Sequence, residues 1–153
     1  MARRLNRRAN KAPAATAQEL QLRAPRIELN ETIKVATLNV RGLKMFGKRQ
    51  DIEHHMKHKG IDILTMQETH IGEDSRETRT NYSWYFSGGT SGLKTIYHGV
   101  GIIIRTGLRN YVLDIETVNE RLMTMKLRGQ IDIHIIAAYA PTAAAPTEDK
   151  HRF

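Results

Sequence analysis

The apolar and polar positions become patterned from Thr32 onward, in three β-branched runs that each close on a polar cluster: Ile33 to Asn39, Ile61 to Glu68, and Ile131 to Tyr139 followed by Pro141 and Thr142. Runs of this kind, bounded by glycine and polar residues, predict strands. Between the first two, Ile52, His55, Met56 and Lys59 recur at helical spacing after Gly47, and Gly60 provides a C-terminal stop. Strand, helix, strand has as its default a parallel pair with a right-handed crossover. A polar stretch, Gly72 to Asn81, precedes predicted strands at Tyr82 to Phe86, Gly99 to Ile104, Val112 to Val118, Leu122 to Leu127 and Ile131 to Tyr139. Their short connections, including Arg128-Gly129-Gln130, favour antiparallel pairing and a meander. Thr147, after Pro146 and before Glu148 and Asp149, reads as the N-cap of a helix. The predicted architecture is α/β, a mixed sheet with flanking helices.

The first 30 residues differ in kind. MARRLNRRANKAPAATAQELQLRAPRIELN has no aromatic residue, two prolines, and seven Lys or Arg against two Glu. Little in it invites burial, so residues 1–30 are expected to be a disordered basic extension to a domain over 31–153. Most of the formal net charge of +8 therefore belongs to this extension. Arg3, Arg4, Arg7 and Arg8 suit sequence-independent phosphate contacts, so nucleic acid is the partner this segment favours. Its Arg-rich, acid-poor composition also fits a mitochondrial transit peptide, and a solvated extension is the third reading; otherwise a nuclear or cytoplasmic location is expected. The sequence has no cysteine, which removes disulfides and thiolate metal sites. No apolar run approaches the roughly 20 residues that span a bilayer as a helix.

An amide, a carboxylate and a phenol delivered by strand ends to one sheet edge are the parts of a phosphate and metal site. Asn39, Glu68 and Tyr139 are those residues, and each has a plainer role open to it: a turn hydrogen bond, a solvated acid, a core ring with its hydroxyl outside. Arg121 is a further cation that could simply pair with Glu120 or Glu116. His70 follows Glu68 closely and faces either a phosphate or solvent. His54 and His58 have i, i+4 spacing, yet the flanking Asp51, Lys57 and Lys59 mark a solvated helix face. The Gly88 to Gly92 segment with Lys94 lacks the phosphate-loop spacing and reads as a turn.

Taken in order, Val35-Ala36-Thr37-Leu38-Asn39-Val40-Arg41, Asp62-Ile63-Leu64-Thr65-Met66-Gln67-Glu68-Thr69-His70, Glu120-Arg121-Leu122-Met123 and Tyr139-Ala140-Pro141-Thr142 resemble the endonuclease/exonuclease/phosphatase superfamily. The likeness is nearest to endonuclease domains of non-LTR retrotransposons and to proteins of the craniofacial development protein type, and it spans Thr32 to Phe153. It implies a four-layer α/β sandwich of two facing sheets, of which this chain carries the N-terminal half and lacks the C-terminal half. It implies hydrolysis of phosphodiesters, here of DNA with RNA as the alternative, using Mg2+ or Mn2+. It also implies that Glu68 is the metal ligand, that Asn39 orients the metal or the catalytic acid, and that Tyr139 hydrogen-bonds the phosphate. Thr142 then lies in a phosphate loop and Arg121 near the substrate. The family's Gly-Asp-x-Asn and Ser-Asp-His motifs are not in this sequence. The expectation is therefore weak metal binding, no catalysis by the chain alone, and self-association through an uncovered sheet face; a non-catalytic, basic nucleic-acid-binding protein is the alternative.

The basic extension generates a direct test. DNA binding by the full chain is expected to be salt-sensitive and indifferent to sequence, and to be lost when Met1 to Lys11 are deleted. Fluorescence anisotropy across a salt series measures this, and equal affinity after the deletion would remove the arm from the account.

Overall fold

The computed structural model describes residues 24–88 and 98–153. Arg3, Arg4, Arg7 and Arg8, and the loop positions 89–97 with Lys94, lie outside the described residues. Among the described residues, eight strands and two α-helices follow in chain order: β1 (Val35–Asn39), α1 (Lys48–Lys59), β2 (Ile63–Gln67), β3 (Ser75–Thr78), β4 (Tyr82–Ser87), β5 (Val100–Arg105), β6 (Val112–Asn119), β7 (Leu122–Leu127), β8 (Ile133–Ala138) and α2 (Thr147–Arg152). A 3-10 turn, Thr106–Tyr111, separates β5 from β6. That turn divides the expected meander between two sheets. One has the order β1-β2-β5-β4-β3, the other β6-β7-β8. β1 and β2 are parallel, as the strand, helix, strand pattern implies, and every other pairing between these strands is antiparallel.

Alternation within β2, β4 and β5 serves two cores rather than one. Ile63, Tyr85, Val100, Ile102 and Ile104 face Met123, Met125, Leu127 and Ala137 of the second sheet. Leu64, Met66, Trp84, Phe86 and Ile103 face the other way, onto Ile52 and Met56 of α1 and onto Val40 and Leu43. Burial on both faces explains why these strands are nearly continuous apolar runs, whereas burial alternates along β7 and β8. α1 is held by the buried Trp84, whose indole N–H donates to Glu53 Oε1 at 2.9 Å. Gly60 ends the helix at φ 64°, returning its N–H to Lys57 and Met56. The described layers are thus helix, sheet and sheet.

Several details depart from expectation. β3 falls inside the polar stretch Gly72 to Asn81. It is an edge strand whose side chains are mostly solvated, so its sequence carries no apolar period. Thr147 is the first residue of α2 and Pro146 its N-cap, without a side-chain hydrogen bond. Proline fixes φ and closes the turn there, which leaves Thr147 inside the helix. Ile27, within the expected extension, is buried and pairs with the β7–β8 connection through Ile27 N to Arg128 O (3.0 Å) and Gln130 N to Ile27 O (2.9 Å). The two sheets cover each other, and the large apolar side chains left in solvent include Val35 and Leu38 on β1, Ile131 before β8, Ile136 on β8, and Met45 and Phe46 in the β1–α1 loop. No helix among the described residues is long and apolar enough to cross a membrane.

At one end of the molecule the two sheets are stitched together through Gly99. Its N–H donates to Glu120 O in the β6–β7 turn of the second sheet at 3.0 Å, and its carbonyl accepts from Thr69 N, two residues past β2 of the first, at 3.0 Å. Gly99 sits at φ 95°, and a Cβ there would collide with the Thr69 hydroxyl. Gly99→Ala is therefore expected to lower stability by about 2 kcal/mol or more, measured by urea unfolding. A change within about 0.5 kcal/mol, the range of ordinary surface substitutions, would show that the stitch is not needed.

Candidate functional site

The carboxylate of Glu68 lies at this stitched end, one residue beyond β2. Two donors from distant parts of the chain converge on one of its oxygens. Asn39 Nδ2, at the end of β1, is 2.8 Å from Glu68 Oε1, and Tyr139 Oη, just past β8, is 2.9 Å from the same atom. Oε2 is left for another partner. Asn39 is itself oriented, since its Oδ1 accepts from Arg41 N at 3.1 Å. The β1–α1 loop continues the parallel ladder past the strand ends, through Val40 N to Gln67 O (2.9 Å), Gly42 N to Glu68 O (2.6 Å) and Leu43 N to Thr69 O (3.0 Å).

Backbone strain accompanies this geometry. Arg41, Glu68 and His70 all adopt left-handed conformations, with φ of 47°, 54° and 56°. Such values are uncommon outside glycine and cost on the order of 1 kcal/mol or more per residue. Three within one loop pair mark a place where surrounding hydrogen bonds dictate side-chain direction. Gly42 shares the constraint: at φ 87°, a Cβ on it would stand 2.9 Å from His70 Nδ1.

The electrostatics keep Glu68 charged and Tyr139 protonated. The Asn39 hydrogen bond, then that of Tyr139, holds the Glu68 carboxyl below its usual range; the charges of His70 and Arg41 add to this, and desolvation opposes it. Burial, followed by the Glu68 hydrogen bond and charge, raises the Tyr139 phenol above its usual value. A carboxylate held in its ionised form, with Oε2 outside these two hydrogen bonds, is a hard ligand for a divalent cation. Among the described residues no group of three or more His, Asp or Glu is arranged to hold a metal. Glu68 could offer a divalent cation one carboxylate oxygen, and the rest of the shell would then be water or phosphate oxygens.

The expected residues distribute as follows. Asn39, Glu68 and Tyr139 form one cluster, and His70 stands beside it, its N–H donating to His98 O at 2.9 Å. Arg121 does not pair with Glu120 or Glu116. Its guanidinium lies 5.3 Å from the Tyr139 ring centroid, donates to Tyr139 O at 3.3 Å and meets His98 Nε2 at 3.2 Å. Thr142 is exposed and its carbonyl closes a turn with Ala145 N; its side chain makes no hydrogen bond to the cluster. His54 and His58 are exposed on α1. Two residues went unselected, Arg41 and His98. For His98 a signal existed, because it precedes Gly99 at the start of an apolar run just as the other site residues follow the ends of theirs.

Because the folded-state pKa of Glu68 is depressed, its hydrogen bonds contribute stability that is present above its unfolded pKa and lost as pH falls through the folded value. Asn39→Ala is expected to raise the Glu68 pKa toward the ordinary glutamate value. A carboxyl 13C NMR titration reads this directly, and an unmoved midpoint would mean that Asn39 does not set the charge.

No curated protein sequence matches the chain. Among solved structures, an endonuclease/exonuclease/phosphatase family protein from Leptotrichia buccalis C-1013-b is similar at 16% identity and a TM-score of 0.49, over 79% of this chain and 60% of that one. This chain thus spans about three fifths of that protein's length. Residues 36–141 match the family model described as Endonuclease/Exonuclease/phosphatase family, a range that contains Asn39, Glu68, Arg121 and Tyr139. The chain belongs to the endonuclease/exonuclease/phosphatase family, whose enzymes hydrolyse phosphate esters and generally depend on divalent metals.

Proposed function

We propose that this chain carries the metal- and phosphate-binding part of a nuclease that cleaves phosphodiester bonds in DNA, of the type by which non-LTR retrotransposons nick their target. The observation that carries the reading is the convergence of Asn39 Nδ2 and Tyr139 Oη on Glu68 Oε1. It fixes an ionised carboxylate at a sheet edge and leaves its second oxygen open. Glu68 is the residue that would hold magnesium or manganese. A bound cation of this kind neutralises phosphate charge and polarises the phosphorus centre. Asn39 holds the carboxylate rotamer, Tyr139 donates its phenolic proton to Glu68 and presents its hydroxyl oxygen at the site, and Arg121 supplies a cation over the Tyr139 ring. The net charge of +8 favours a polyanionic substrate. Retroelement character and DNA rather than RNA rest on the four motifs in order.

The same cluster favours a second reading. It contains one carboxylate, and water activation needs a general base. Binding without turnover, by a basic nucleic-acid-binding protein, also fits the described residues. Both readings share a first step, the joint capture of cation and phosphate.

Magnesium is expected to tighten binding of a fluorescein-labelled DNA duplex by the 153-residue chain, and Glu68→Gln to abolish that gain while leaving the melting temperature within a few degrees. Equal magnesium enhancement in Glu68→Gln would overturn the site. The chain alone is expected not to nick supercoiled plasmid. Nicking that survives repurification and vanishes in Glu68→Gln would instead make these residues sufficient for catalysis.

A further inference from the structure

His98 lies two residues before β5, between the two sheets, and is half-buried. Its ring packs on Tyr139 with centroids 6.0 Å apart, and its Nε2 is 3.2 Å from an Arg121 guanidinium nitrogen. Arginine only donates hydrogen bonds, so Nε2 must be the acceptor and the proton of a neutral imidazole must sit on Nδ1. That Nδ1 is buried and has no hydrogen-bond partner among the described residues. A buried donor left unmatched is costly, and the return on this cost is an acceptor aimed at Arg121. No carboxylate forms an ion pair with Arg121 among the described residues. Two backbone links complete its seat: Tyr139 N donates to Arg121 O at 2.9 Å, and Arg121 N to Asn119 Oδ1 at 2.8 Å.

We infer that His98 is a positioning residue that pins the Arg121 guanidinium against the Tyr139 ring, so that its remaining N–H groups meet a substrate phosphate next to the one at Glu68. This rests on the function proposed above and extends it to a residue that touches neither Glu68 nor the reacting phosphate. Tyr139 is the common wall: its hydroxyl reaches Glu68 while its ring carries Arg121. Arg121 keeps a planar fork of donors with no counter-ion among the described residues, the chemistry that suits a phosphodiester oxygen pair. An arginine free to rotate would spend binding energy on ordering its side chain.

The pinning depends on a neutral imidazole. The charged groups around it are Arg121 and Glu120 beside β7, Asp149 of α2 and His70 after β2. Burial and then Arg121 hold the His98 pKa below the usual histidine value, against Glu120 and Asp149. Protonation removes the acceptor and sets two cations against each other, so the support is present at neutral pH and is withdrawn as pH falls through the depressed pKa.

Two measurements on the full chain test this. Imidazole 15N NMR at neutral pH is expected to show His98 as the Nδ1–H tautomer, with a shift that changes in Arg121→Gln. An Nε2–H tautomer would overturn the pairing whether or not DNA binds. In the magnesium-dependent DNA anisotropy assay, His98→Phe is expected to weaken binding about as much as Arg121→Gln, by roughly tenfold or more, as for a hydrogen bond to a charged group. The double variant should add nothing, and His98→Gln, whose amide oxygen can still accept, should restore binding. Binding should weaken in the wild type below the His98 pKa and stay flat in His98→Gln. Wild-type affinity in His98→Phe, with Arg121→Gln weakened, would overturn the inference and leave the proposed function standing. Absence of any Glu68-dependent binding would overturn the function, while the tautomer still judges the pairing.

Discussion

Two-sided burial of β2 and β5 is the constraint on which the site depends. A strand with apolar side chains on both faces must lie between two layers, and here one layer is α1 and the other the β6-β7-β8 sheet. Once Ile63 and Ile102 are committed to one core and Leu64 and Ile103 to the other, register is fixed, because a slip of one residue would exchange the two faces. The strand ends are then fixed as well. Glu68 follows β2, His98 and Gly99 precede β5, and Asn39 ends the strand paired to β2. The positions of the functional groups follow from packing several residues away.

What packing cannot do is aim a side chain beyond the last residue of a strand. Here the task falls to backbone hydrogen bonds across the seam and to residues in unusual conformations. The left-handed backbone at Arg41, Glu68 and His70 reverses the direction that an extended strand would give these side chains, and the ladder from Val40 N to Leu43 N holds them there. Gly99 does the equivalent work between the sheets. Its contact with the buried Thr69 leaves no room for a side chain. Strain in the loops and stability in the strands are thus parts of one device, the second sustaining the first.

This division explains how much was legible in the sequence. The buried strands, α1 and its Gly60 stop stand out because their periodicity records burial. The same logic gave Asn39, Glu68 and Tyr139 as strand-end residues, and the family motifs tied them together. β3 escaped because a solvated edge strand leaves no apolar period. The division between the sheets escaped because a 3-10 turn at Thr106–Tyr111 and a hairpin turn are both short polar interruptions. Pairing Arg121 with its neighbouring acids was the natural local reading, yet its partners are His98 and Tyr139, 23 and 18 residues away. Long-range side-chain contacts of this sort are set by topology and leave no trace in spacing.

The asymmetry of the Glu68 carboxylate has a consequence for ligand order. Both protein donors occupy Oε1, so a cation would meet one oxygen of one carboxylate, and such a site holds magnesium weakly until phosphate oxygens complete the shell. A phosphate arriving without the cation would meet the negative charge of Glu68 at close range. Each ligand then raises the affinity of the other by the same factor, as linkage requires. Arg121, beyond the ring of Tyr139, offers the phosphate a contact that does not depend on the cation. It would set which phosphate is captured first, and the Glu68 carboxylate would be engaged only when the chain, the cation and the neighbouring phosphate are in register.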